Sequence, residues 1–151
     1  MDAKQIDVNF DIENYVFLDL REYLSKKSKF ITDATKQVCS KPPKQLAVFP
    51  TIVFRETNNI DDTRYRSLDR SQLVNQITDT IEIYTQDMVL NGVRYASKTI
   101  MSELKYLVFD FFEQIGAVRI SAGLAETSDY QVDRYVITER YYQNNWNKKI
   151  G

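Results

Sequence analysis

The sequence predicts an α+β domain: a mostly antiparallel or mixed sheet of four to five strands, with an N-terminal helix and one long central helix packed on it. Three observations carry this. Apolar residues recur at helical spacing from Ile12 to Leu24 and again from Val89 to Ile115. Between and after those stretches lie β-branched and aromatic runs with period-two alternation. Strands followed by a helix and then more strands suit a sheet whose helices sit on one face. The 151 residues fit one domain, 1–151, with a core over about 11–142 and a flexible tail at 143–151. A chain of this length buries roughly 70% of the surface it exposes when unfolded.

The elements follow in order. A first helix starts near Asp11, with Ile12, Val16, Leu20 and Leu24 (or Tyr23) on one stripe and Glu13, Asp19, Arg21 and Glu22 off it. It continues, bent or broken, through Phe30, Ile31 and Val38 until Lys41-Pro42-Pro43-Lys44, because proline lacks a donor and restricts the residue before it. Thr51 to Arg55 reads as a strand opened by Pro50, Thr57 to Asp62 as a turn or loop, and Tyr65 to Leu68 as a short return strand. Gln76 to Tyr84 alternates, with Ile77, Ile81 and Ile83 on one face and Thr78, Thr80, Glu82 and Tyr84 on the other. Asp79 interrupts the apolar face, as at an edge or a bulge. Val89, Val93, Ala96, Ile100, Leu104, Leu107, Phe111 and Ile115 predict one long amphipathic helix, with Gly116 at its C′ position. Ala117 to Ser121 is a short strand, Ala122-Gly123 and Glu126 to Asp129 a loop, and Tyr130 to Tyr142 a long strand.

Composition narrows the chemistry. The chain has no histidine, which excludes Ser-His-Asp, Cys-His and histidine–metal sites. Its four glycines are isolated, so neither a Walker A loop nor a dinucleotide fingerprint is present. Cys39 is the one cysteine; it forms no intrachain disulfide and no thiolate metal site, and reads as a structural thiol. Ser102-Glu103-Leu104-Lys105 matches an S-x-x-K string, but inside a predicted helix and without companion motifs. Asp61, Asp62 and Asp69 are turn-forming aspartates before they are cation ligands. No catalytic residue, metal site or cofactor is expected. No run approaches the roughly 18 apolar residues of a membrane span, and the acidic start is unlike a secretory signal, so synthesis in the cytoplasm without export is expected.

Net charge is −1, which does not suit an autonomous nucleic-acid binder. Charge is nonetheless uneven: residues 1–22 hold six acids against Lys4 and Arg21, and residues 26–44 hold six lysines against Asp33. Such runs are commonly solvated faces; docking of an acidic partner, as by a cytoplasmic adaptor, is the alternative. The chain also carries ten tyrosines, eight phenylalanines and one tryptophan, several of them on predicted polar faces. Tyrosine, tryptophan and arginine are the types that concentrate interface energy. The interface candidates are Asn58, Asn59, Tyr65, Arg66, Arg70, Tyr84, Arg134, Arg140, Tyr142 and Trp146.

The order of elements resembles that of the tail-terminator (tail completion) proteins of long-tailed phages. The resemblance rests on an N-terminal helix leading to Phe49-Pro50-Thr51-Ile52-Val53-Phe54-Arg55-Glu56 and then Asn58-Asn59. A strand ending Ile81-Glu82-Ile83-Tyr84 follows, then a long helix ending at Ile115-Gly116, and a late strand bearing Arg134, Tyr135, Arg140 and Tyr141. It runs loosely over residues 11–142. It implies a homo-oligomer, a hexameric ring that caps the tail tube, ends its polymerisation and presents a docking surface to the head connector. The implied partners are the tail tube protein and the connector or neck protein; DNA would pass through the bore without sequence-specific binding, and no membrane is involved. The implied location is the head–tail junction of the virion, after assembly in the host cytoplasm. The segment from 57 to 73 and the lysine-rich stretch before Pro42 depart from that pattern. A head–tail joining protein, or another small oligomeric phage structural protein, is the alternative reading.

Overall fold

The computed structural model describes residues 12–41, 48–61 and 75–142. Helix α1 spans Ile12–Lys27, and a four-residue helix α2 spans Ala34–Gln37. Strand β1 is Val38–Cys39, β2 Thr51–Asp61 and β3 Asn75–Thr85. A hairpin of β4 (Met88–Leu90) and β5 (Val93–Tyr95) precedes helix α3, Ser97–Gln114. Strands β6 (Val118–Ala125) and β7 (Asp133–Tyr142) follow.

The fold is α+β. Five strands form one mixed sheet in the order β1-β2-β3-β7-β6, antiparallel except for the β1–β2 pair. Both longer helices pack on one face. Val16, Leu20 and Leu24 of α1, spaced by four, are buried together with Ile100, Leu104, Val108 and Phe111 of α3. Beneath them lie Ile52 and Phe54 of β2, Ile77, Ile81 and Ile83 of β3, and Ile137 and Tyr141 of β7. Ring contacts knit the layers: Phe17 meets Phe54 at 5.8 Å and Phe112 meets Tyr141 at 6.2 Å between centroids. Among the described residues no helix is long and apolar enough to cross a membrane.

Helix α3 ends as its sequence foretells. Gly116 takes φ 74°, the Gly116 amide donates to Glu113 O at 3.0 Å, and the Ala117 amide donates to Phe112 O at 3.0 Å. That pair of bonds is a Schellman motif, and only glycine enters its left-handed turn cheaply.

The structure corrects several expectations. The central helix begins at Ser97, not Val89: Asn91-Gly92, at φ 52° and 80°, close a two-residue hairpin turn instead. Asn-Gly is the dipeptide such turns favour, since both central residues need positive φ. The first helix stops at Lys27; Phe30 and Ile31 are buried in the connection to α2, and Val38 opens β1, paired with Ile52. β2 runs on through Asn58, Asn59 and Asp61 where a turn was expected, because β3 supplies a hydrogen-bonded partner along that length. Of the two alternatives for Asp79 the bulge holds and the edge does not: β3 lies between β2 and β7, and Asp79 pairs with Glu56, where the irregularity on β2 between Glu56 and Asn58 begins. β6 continues through Ala122-Gly123 to Ala125, and β7 begins at Asp133 rather than Tyr130. The expected return strand at 65–68 and the flexible tail at 143–151 lie outside the described residues.

Candidate interaction surface

With both helices on one side, the sheet's other face is defined by pleat and register, since cross-strand partners share a face. Four of the interface candidates fall on it. Arg134 pairs with Tyr84, Arg140 with Thr78 and Tyr142 with Gln76, so Tyr84, Arg134, Arg140 and Tyr142 line two adjacent central strands. Asn58 and Asn59 lie in β2 opposite Thr78 and Ile77. Tyr65, Arg66, Arg70 and Trp146 lie outside the described residues.

A charge cluster lies on this face, near the end of β3 and the start of β7. Glu82 is only 3% exposed. It accepts hydrogen bonds from the Arg55 guanidinium, from Arg134 Nη2 at 3.0 Å and from the Tyr84 hydroxyl at 2.5 Å. Arg134 also donates to Glu126 O at 3.4 Å. Burial pushes the Glu82 carboxyl up. The bonds from Tyr84 and Arg134, with the charges of Arg134 and Arg55, outweigh that and hold it below the ordinary glutamate value. Burial, and then the bond to Glu82, push the Tyr84 phenol up. The face is therefore a fixed array in which two arginines and a tyrosine converge on one ionised carboxylate. The sequence placed Glu82 on the polar side of β3, but nothing in its spacing revealed that Arg55 and Arg134, 79 positions apart in the chain, would meet on it.

The opposite face carries a second pair of acids. Asp79 and Glu139 are cross-strand partners under the helices, both buried. Arg119 of β6 reaches Glu139 Oε1 at 3.3 Å and stacks 3.5 Å above the Phe109 ring. Burial pushes the Glu139 carboxyl up, and Arg119 only partly offsets it.

The edge strand β6 is the most apolar exposed feature among the described residues. Val118 is 55%, Ile120 50% and Leu124 69% exposed. Helix α3 packs on β3 and β7, so β6 overhangs it. Tyr106, also largely exposed, lies at the helix rim beside Phe109, 5.9 Å between ring centroids.

Other sequence features have structural roles. Asp87 Oδ1 accepts the Ser97 amide at 2.8 Å, capping α3 from the neighbouring hairpin, and lies in an open polar groove of about 440 Å³ with Arg94, Tyr130 and Asp133. Burial raises the Cys39 thiol, whose Sγ lies 3.7 Å from Ile52 O. Lys105 of the S-x-x-K string sits 5.2 Å from the Tyr106 and Tyr135 rings, on α3. Asp61 ends β2, while Asp62 and Asp69 lie outside the described residues; among those described, no three metal-ligating side chains cluster. Compared with known families and with curated protein sequences, the chain matches no family model and no curated sequence.

Proposed function

We infer that this protein is a structural subunit that closes into a ring of six on the end of a phage tail tube, of the tail-terminator type. The observation that carries the reading is the one-sided build of the sheet. Helices cover one face, while the other carries Tyr84 and Arg134 on Glu82 and, further along β7, Arg140 and Tyr142. A subunit that stops growth must present different surfaces to the tube below and the connector above, and heterologous contacts must close the ring. A two-layer subunit with unlike faces and two unlike sheet edges supplies that asymmetry. Rigid aromatic and arginine side chains on a sheet are the groups expected at such contacts.

The test is mass by light scattering, first for the protein alone and then mixed with tail-tube subunits. A six-fold species, or a monomer that becomes a ring only on the tube, is the expected result. Indifference to the tube with binding to the portal or connector would transfer the protein to the head–tail joining class.

A further inference from the structure

We propose that the outer edge of β6 is a strand-addition seam, and that its occupant is the free edge of β2 in a second copy of this chain. The sheets of neighbouring subunits would then run on into one another. This rests on the ring reading above and specifies how the ring would be sewn.

β6 ends the sheet, and among the described residues nothing pairs with its outer side. Protected edges are usually short, prolined or guarded by outward charges. β6 has eight residues, no proline and one charge. That charge, Arg119, is turned onto Glu139 and Phe109 rather than outward. Val118, Ile120 and Leu124 are exposed along the same strand. Gly123 adds an independent sign. A glycine inside a strand weakens it and commonly marks a close approach of another backbone. Yet a Cβ built at Gly123 meets nothing within 4 Å, so no neighbour in the subunit itself demands glycine there.

The occupant follows from the other edge. β1 covers β2 only at Ile52 and Val53. From Phe54 to Asp61, also eight residues, β2 has no strand on its outer side among the described residues. Direction decides the pairing. β2 runs antiparallel to β3, β3 to β7, and β7 to β6, so β6 runs opposite to β2. Rotating one subunit onto the next about an axis along the strands brings β6 beside β2 antiparallel, the more stable arrangement. One sheet thus offers two edges of equal length and complementary direction, which is what a heterologous contact between identical chains needs. Pleat fixes the parity of the register. Arg55, paired with Thr80, and Gly123, paired with Val136, share the helix-free face, whereas Leu124, paired with Tyr135, faces the helix side. Full overlap of the two eight-residue edges would set Arg55 of one copy at Leu124 of the next; parity forbids that and moves it one place, opposite Gly123 or Ala125.

The experiment uses the full chain. Ile120→Lys with Leu124→Lys places two charges on exposed edge positions, and circular dichroism checks that the fold survives. Mass is then read alone and with tail-tube subunits. Oligomers for the parent and monomers for the folded double variant are expected. If the double variant assembles like the parent, the seam is wrong while the ring reading stands. If the parent assembles through the seam but ignores the tube, the ring reading falls and the seam stands; a parent monomeric in both conditions overturns both. Occupancy is read by oxidation in a Cys39→Ser background. Arg55→Cys with Gly123→Cys or Ala125→Cys should give a ladder of disulfide-linked copies, and Arg55→Cys with Leu124→Cys should give none. Covalent dimers from Gly123→Cys alone would mean that β6 pairs with itself, and would overturn the β2 assignment. Adducts to tube subunits in place of ladders would overturn it equally.

Discussion

Glu82 points away from the helices and Glu139 points under them, three register positions apart on the same pair of strands. Their surroundings give opposite pH dependence. The Glu82 carboxyl is held below its ordinary value, so its contribution is complete above that value and lost as pH falls through the folded value. The Glu139 carboxyl is pushed up by burial, so its contribution is complete below the ordinary value of 4.5 and lost as pH rises through the folded value. Glu82→Gln should therefore lower stability near neutrality by about 2 kcal/mol, since charge-assisted bonds are replaced by neutral ones, and should flatten the acid limb. Glu139→Gln should remove the decline just above pH 4.5, at the expense of one ion pair whose Arg119 partner is 44% exposed. Urea midpoints for the three proteins, from about pH 3 to about pH 7, check both signs. If both variants shift the profile in one direction, the assignment of Glu82 and Glu139 to differently balanced sites is wrong.

At the scale of elements, what could be read in the chain was whatever local pattern alone decides. The Val16, Leu20, Leu24 stripe gave α1, the Ile77, Ile81, Ile83 alternation gave β3, and Gly116 gave the end of α3. The hairpin before α3 was hidden because Val89 and Val93 fall by coincidence on the helical period of Ile100 and Leu104. Both valines are in fact exposed, which a helix stripe would not allow. β1 and the far half of β2 were invisible for another reason: they are strands through long-range partners, not through their own composition. The Glu82 cluster shares that cause, since Arg55, Glu82 and Arg134 come from three strands. Two glycines test the backbone reading. Gly92 has φ 80° and open space around its Cβ position, so Gly92→Ala should cost about 1 kcal/mol through conformation alone. Gly123 lies in a strand with equal space and no such φ, so Gly123→Ala should leave the subunit unchanged or stabilise it by about 0.5 kcal/mol. Thermal unfolding of both variants decides; equal losses would mean that the hairpin turn does not need its left-handed residue.

Over the whole molecule, the proposed ring gives the two faces of the sheet different jobs. The side under α1 and α3 holds the hydrophobic cluster, and the other side holds the residues assigned to partners. Substitutions on the two faces should then fail in different ways. Leu104 is fully buried in α3, and Leu104→Ala leaves a cavity that typically costs about 2–5 kcal/mol. Arg140 is partly exposed on the helix-free face, opposite Thr78, and Arg140→Glu should change the melting temperature little while reversing one charge of the contact surface. Assembly of Leu104→Ala should fall only in proportion to its unfolded fraction and recover on cooling towards its temperature of maximum stability. Arg140→Glu should stay folded and assemble poorly at every temperature, with partial recovery in high salt as the reversed charge is screened. Parallel melting curves and light-scattering masses separate the two. An Arg140→Glu protein that melts early would place this face in the core's service, and one that assembles normally would move the contact surface off the central strands and onto the edges alone.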